Sequence, residues 1–217
     1  MKIRAFSKTF GRWTLVFPSF ELAGGSICAV IGANGSGKST LARVLAGVLL
    51  ADGKKEVFDI RPNIGYMPQK SYAFRMSTEK NLRLAGADRA EARRMLETLQ
   101  IGHLSASRAK LLSGGEAARM ALGRVLVCPH ELLILDEPTA SMDVEATLLT
   151  EKLIRDYCRE QSAAVLWVTH SLAQARRVAD TALFLHKGQL WESGSADKLL
   201  RAPERDETRS FLAFFGE

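Results

Sequence analysis

The sequence predicts an α/β fold: a doubly wound, mostly parallel sheet, with an antiparallel β-region at the N-terminus and an inserted helical subdomain. Three observations carry this expectation. The runs SICAVI (26–31), LLIL (132–135) and AAVLWV (163–168) are short and apolar throughout, as strands covered on both faces must be. Each is followed by a stretch with helical spacing of apolar residues, the alternation of a parallel sheet. Between Thr78 and Val127, three helical patterns follow one another with no strand among them.

In chain order, KIRAF and RWTLVFPSF read as strands, and Ala23-Gly24-Gly25 as a turn. The strand at 26–31 runs into a glycine loop, and apolar positions 41, 44, 45, 48 and 49 predict a helix over 39–50. Short strands are expected at 56–60 and 64–67. TEKNLRLAG, DRAEARRMLETLQ and GGEAARMALGRVLV predict the helices of the inserted segment, taken as 71–127. The β/α alternation then returns: a strand at 132–135, a helix at 144–160, a strand ending at Val168 and a helix at 171–179. ALFLH and QLWES form a hairpin around Lys187-Gly188, and the tail RAPERDETRSFLAFFGE packs as a terminal helix.

At 217 residues the chain suits a single domain, 1–217, with 1–70 and 128–217 as its core. It is 47% hydrophobic and 25% charged, ordinary for a globular protein. The net charge of +6 is spread among acids, with a fuller basic cluster only around Arg89, Arg93 and Arg94, so no nucleic-acid partner is expected. Three separated cysteines, Cys28, Cys128 and Cys158, favour a reducing compartment over a disulfide framework or zinc site. MKIRAFSKTF lacks the apolar core of a signal peptide, and no apolar run reaches membrane-spanning length, so any membrane span must come from another chain.

GANGSGKS (32–39) fits G-x-x-x-x-G-K-[ST] in the required context, a strand before and a helix after. The motif predicts the phosphate cradle of a P-loop NTPase fold. Gly32, Gly35 and Gly37 let the chain curl so that N–H groups point inward, and the following helix adds its positive end. Asn34, Gly35, Ser36, Gly37, Lys38, Ser39 and Thr40 are the expected ATP-binding residues. Lys38 reaches the β- and γ-phosphates, and Ser39 ligates Mg²⁺. The strand LLIL delivers Asp136 to the edge where open α/β sheets bind ligands, as a metal holder, with Glu137 beside the γ-phosphate as acceptor of a proton from the attacking water. His170, at the end of AAVLWVTH, belongs on the same edge as a γ-phosphate sensor. Gln69, after NIGYM, follows the same logic as a metal and catalytic ligand.

LLSGGEAARMALGRVL (111–126) adds a second anion-ready helix entrance about 75 residues downstream. Ser113 and Glu116 have capping-box spacing, and Gly114 and Gly115 leave the backbone N–H groups uncovered. One triphosphate on one loop leaves part of its γ-phosphate open. The economical arrangement is two chains head to tail, each second cradle closing over the nucleotide held by its partner.

Together these residues resemble the ATP-binding cassette family, the ATPase subunits of ABC transporters, in order and over nearly the whole chain. GANGSGKST looks like Walker A, Gln69 in YMPQK the Q-loop, LSGGE the signature, and LLILDE Walker B with its catalytic glutamate. Ser141-Met142-Asp143 looks like the D-loop, with Asp143 facing the nucleotide, and His170 like the switch histidine. Phe10 falls where the family stacks an aromatic on adenine. Glu116 stands where glutamine is more usual in the family, Met142 where the residue is often small or leucine-like, and Phe10 where tyrosine is commoner. None removes a group that the chemistry needs. The short spacing from Lys38 to Gln69 implies a small accessory β-region.

The resemblance implies an ATPase that binds ATP and Mg²⁺, closes as a dimer, a homodimer by preference, around two ATP, and opens on hydrolysis. Its partners would be transmembrane permease subunits, met by KSYAFRMSTEKNL (70–82), and an extracytoplasmic solute-binding protein. Its place would be the cytoplasmic face of the cell membrane. The run from AQARRVAD to DETRSFL is most similar to importers of small oxyanions such as tungstate or phosphate. The alternative is a soluble cassette ATPase acting on nucleic acid or ribosomes, but such relatives usually carry two cassettes or long coiled coils, and neither is present here. A P-loop kinase would lack LSGGE, and a non-catalytic regulatory module would not keep Lys38, Asp136, Glu137 and His170 together.

Overall fold

A computed structural model describes residues 1–70 and 72–215; Ser71 of the 70–82 segment and Gly216 and Glu217 of the tail lie outside the described residues. The chain opens with β1 (Lys2–Ile3), β2 (Phe6–Phe10), β3 (Trp13–Phe17) and β4 (Phe20–Glu21). β1 pairs with β4 as a separate two-stranded ribbon, while β2 and β3 form a hairpin that joins the main sheet. β5 (Ile27–Ile31), α1 (Lys38–Leu45) and β6 (Ile64–Met67) follow, and then α2 (Thr78–Arg83), α3 (Arg89–Thr98) and α4 (Gly114–Leu126) with no strand between them. The alternation resumes with β7 (Leu132–Asp136), α5 (Val144–Glu160), β8 (Ala164–Val168) and α6 (Leu172–Val178). β9 (Thr181–His186) and β10 (Gln189–Ser195) form a hairpin, and α7 (Ala196–Arg201) and α8 (Asp206–Phe215) complete the described chain.

The main sheet has eight strands in the order β2-β3-β10-β9-β5-β8-β7-β6. Its heart, β9-β5-β8-β7-β6, is parallel throughout. The apolar runs are explained by burial on both faces. Along β7, Leu133 and Leu135 pack with Leu82, Leu96 and Leu99 of the helical layer. Their neighbours Leu132 and Ile134 pack on the opposite face with Leu41 and Leu45 of α1. Along β8, Trp167 faces the first layer and Leu166 the second, as the alternation of a strand dictates.

Two expectations are corrected. The helix expected over 39–50 ends at Leu45. Gly47 adopts φ +72° and donates to the Val44 carbonyl (3.0 Å), while the Val48 N–H reaches that of Arg43 (3.0 Å). This is a Schellman stop, so the apolar residues beyond it are not helical. No strand forms over 56–60; Phe58 makes only an isolated bridge to Ile3. The available partner is β1, only two residues long, so the ladder cannot extend. Val57 and Phe58 are nevertheless buried.

The basic cluster on α3 is partly neutralised, since Arg93 and Arg89 both pair with Glu79 (2.9 and 3.2 Å). The three cysteines are free. No helix among the described residues is long and apolar enough to cross a membrane. The tail is helical, as expected, with Thr208 and Leu212 buried and Phe211 packed on Phe184 (5.0 Å between centroids).

The helical layer closes around Gly123, in the last turn of α4. A Cβ there would lie 2.6 Å from Leu99 Cδ1 and 3.2 Å from Met95 Cγ, closer than the packed side chains allow. Gly123→Val is expected to destabilise the fold by about 1–3 kcal/mol through overpacking. Urea denaturation should show a lowered midpoint; an unchanged midpoint would mean that this layer yields without strain.

Candidate active site

The glycine loop after β5, the ends of β6 and β7, and the tip of the β2–β3 hairpin line one cleft of about 630 Å³. Its walls are Phe10, Trp13, Asn34, Gly35, Gly37, Lys38, Ser39, Thr40, Gln69 and Glu137. The glycine loop is held from beneath as well as curled. Gly37 has φ +108°, and a Cβ there would lie 2.7 Å from Leu15 Cδ1 of β3. At Gly32 (φ +147°) a Cβ would fall 2.3 Å from the Leu185 carbonyl oxygen. The Gly188 N–H donates to the Ser36 carbonyl (3.1 Å), pinning the loop to the β9–β10 turn. Ser36 is buried and is not among the cleft's described walls.

Lys38 opens α1 and is itself mostly buried. Its ammonium donates to the carbonyls of Gly32 (2.7 Å) and Ala33 (3.0 Å), two of its three donors. Burial pulls its pKa down, against the upward pull of Glu137 and Asp136. Ser39 Oγ donates to Asp136 Oδ1 (3.1 Å), tying α1 to the end of β7. Asp136 is only 1% exposed, and its Oδ2 has no hydrogen-bond partner among the described residues. Burial pushes its pKa up, opposed by the Ser39 hydrogen bond and reinforced by Glu137. A buried, half-satisfied carboxylate beside a serine hydroxyl, with Gln69 on the cleft wall, is an oxygen donor set that fits Mg²⁺.

The chain turns sharply after Asp136. Glu137 adopts φ +54°, a conformation rare outside glycine, while its N–H continues the sheet ladder to the Val168 carbonyl (3.0 Å). Its carboxylate meets His170 Nδ1 at 2.8 Å. The two groups expected at the strand ends of β7 and β8 therefore touch.

Ser113 caps α4 with a complete capping box: Glu116 N–H donates to Ser113 Oγ (3.4 Å) and Ser113 N–H to Glu116 Oε2 (2.7 Å). Those bonds hold the Glu116 pKa below the usual carboxylate range. Gly114 and Gly115 lie against the loop after β7, and a Cβ on Gly115 would come within 2.9 Å of the Ser141 carbonyl. Asp143 caps α5 by accepting from the Ala146 N–H (2.8 Å). Neither Ser113–Glu116 nor Asp143 is among the cleft's described walls. Trp13 is, although the sequence reading named only Phe10. The signal was present: a two-residue Gly11-Arg12 turn sets Phe10 and Trp13 opposite each other, and their rings lie 6.0 Å apart.

Comparison with known proteins matches this geometry to a family. A sequence model of the family described as ABC transporter matches residues 17–140. The tungstate uptake system ATP-binding protein of Peptoclostridium acidaminophilum is 36% identical over 201 residues, which cover 86% of this chain and 94% of that protein. The phosphate import ATP-binding protein of Aeropyrum pernix is 31% identical over 225 residues, covering 89% of each. A solved structure of a bacterial Atm1-family ABC exporter with ATP bound superposes with a TM-score of 0.85 at 25% identity, covering all of this chain (100%) and 41% of that one. The chain belongs to the ABC transporter family, and it is an ATP-binding, ATP-hydrolysing subunit of that kind.

Proposed function

We propose that two copies of this chain close head to tail around two ATP molecules and that their opening and closing powers solute import through separate membrane subunits. One observation carries the two-chain reading: the capped helix start at Ser113, with the Gly114 and Gly115 N–H groups left over by its capping box, lies outside the cleft that gathers Lys38, Ser39 and Glu137. A ligand held in that cleft meets the serine corner only of a second chain, together with that chain's Asp143. In this reading 1–217 is one unit, with 1–70 and 128–217 holding the nucleotide and 71–127 presenting Ser113 and its glycines.

Phe10 and Trp13 provide the aromatic surface for adenine, and the loop from Asn34 to Thr40 holds the phosphates. Ser39, Asp136 and Gln69 would hold Mg²⁺, which when bound neutralises charge on the phosphate oxygens. Lys38 stabilises the γ-phosphate, and Glu137 accepts the proton of the water that attacks the γ-phosphorus as the bond to the β-bridging oxygen breaks. His170 orients Glu137 through their contact and meets the γ-phosphate. The exposed Tyr72 and Phe74, edge to face at 4.9 Å between centroids, support a membrane-subunit contact along the 70–82 segment, which would place the protein at the cytoplasmic face of the membrane. The tungstate and phosphate systems named for the two relatives support a small oxyanion as cargo, and a solute-binding protein would be the third component.

Glu137→Gln is expected to keep ATP binding, lose hydrolysis and accumulate a dimer at saturating ATP. Size-exclusion chromatography showing only monomer would sink the two-chain reading. Ser113→Arg should leave ATP binding by the monomer intact and prevent dimer formation; loss of monomer binding would place the second cradle in its own chain's site. For the cargo, ATP turnover by the assembled transporter should rise with tungstate-loaded binding protein, and turnover indifferent to oxyanions would exclude that class.

A further inference from the structure

Behind the Glu137–His170 contact lies a closed polar network that the chemistry above does not use. Gln174, 3% exposed on α6, is its hub. Its Oε1 accepts from the Thr169 hydroxyl (2.9 Å), and its Nε2 donates to Thr139 Oγ1 (2.9 Å) and Glu151 Oε1 (3.1 Å). Thr169 directly precedes His170, and Thr139 follows Glu137 by two residues. Thr169 Oγ1 also accepts from the Ser171 N–H (3.1 Å) just past the histidine. Glu151, 4% exposed on α5, is neutralised by Arg177 through two bonds of 2.9 and 2.6 Å. None of Thr139, Glu151, Thr169 and Gln174 lines the cleft.

We infer that Gln174 is a positioning residue for hydrolysis: its carboxamide clamps the His170 turn to the Glu137 turn and so holds the two side chains in contact. The inference rests on the roles proposed above for Glu137 and His170. The Glu137 turn needs such a clamp, because Glu137 sits at a strained φ and neighbouring structure must hold it there. A carboxamide is the one group that meets all three partners. Its oxygen faces a hydroxyl donor, and its nitrogen faces a carboxylate and a hydroxyl oxygen. A carboxylate at 174 would face the Glu151 carboxylate at hydrogen-bond distance, a like-charge contact.

Steady-state ATPase kinetics of the full chain, with Glu137→Gln as reference, test this. Gln174→Leu is expected to lower kcat about tenfold to a hundredfold, the scale of a misplaced catalytic geometry, with KM for ATP changed less than about twofold because the nucleotide contacts are untouched. Gln174→Glu should lose activity similarly, and adding Glu151→Gln should recover most of it, since the pair again has one donor and one charge, with Arg177 beside it. Thr139→Val and Thr169→Val break one arm each and keep the test valid if Gln174→Leu does not fold. Each should lower kcat, and together they should do so by less than the product of the single effects. Unchanged kcat in the single variants, a matching rise in KM, or no recovery in the double variant overturns the inference. If Glu137→Gln itself hydrolyses ATP, the roles assigned to Glu137 and His170 fail instead.

Discussion

A buried carboxylate organises this molecule. Asp136 ends a strand with neighbours on both sides, and it leaves one oxygen unsatisfied in the interior. An unpaired buried polar group costs about 1–3 kcal/mol, and more when charged. The surrounding structure offsets that cost only in part. Ser39 donates to one oxygen, which fixes the first turn of α1 against the sheet edge and sets where the glycine loop must end. The raised pKa of Asp136 and the lowered pKa of Lys38 are two sides of the same desolvation. In the proposed reading, phosphates and a cation would bring the complementary charge that offsets both.

The loop around that carboxylate is no isolated motif. Leu15 and Trp13 lie under Gly37, the Leu185 carbonyl closes on Gly32, and Gly188 holds Ser36. The N-terminal hairpin and the β9–β10 hairpin thus serve as supports for the glycine loop. A parallel sheet alone would end in a loop free to take several shapes; these contacts over-determine one. The same hairpin tip then provides the aromatic wall of the cleft, so that shape and recognition come from one element.

How much was legible in the sequence follows from the range of the interactions involved. The glycine loop, the capping box at Ser113 and the two-faced strands depend on residues close together along the chain, and each was read in place. The early stop of α1 was also written locally, at Gly47, but the apolar residues beyond it mimic helical spacing while serving other packing. Residues 56–60 look like a strand because Val57 and Phe58 are buried; a strand also needs a partner of matching length, and β1 offers only two residues. The Gln174 network was not legible. Two of its partners, Thr139 and Glu151, stand 35 and 23 residues from Gln174, and each is an ordinary polar residue until the fold brings them together.

The contact between Gly115 and the Ser141 carbonyl has a mechanical consequence. The helix end proposed to meet a neighbour's phosphate rests, at Gly115, directly on the backbone of the loop leading away from the chain's own carboxylate turn. The two faces share that backbone contact, so a shift of one bears directly on the other. In a closed pair each half would transmit, through this backbone seat, any recoil of its own turnover to the grip it keeps on the other, making the two sites reciprocal by construction.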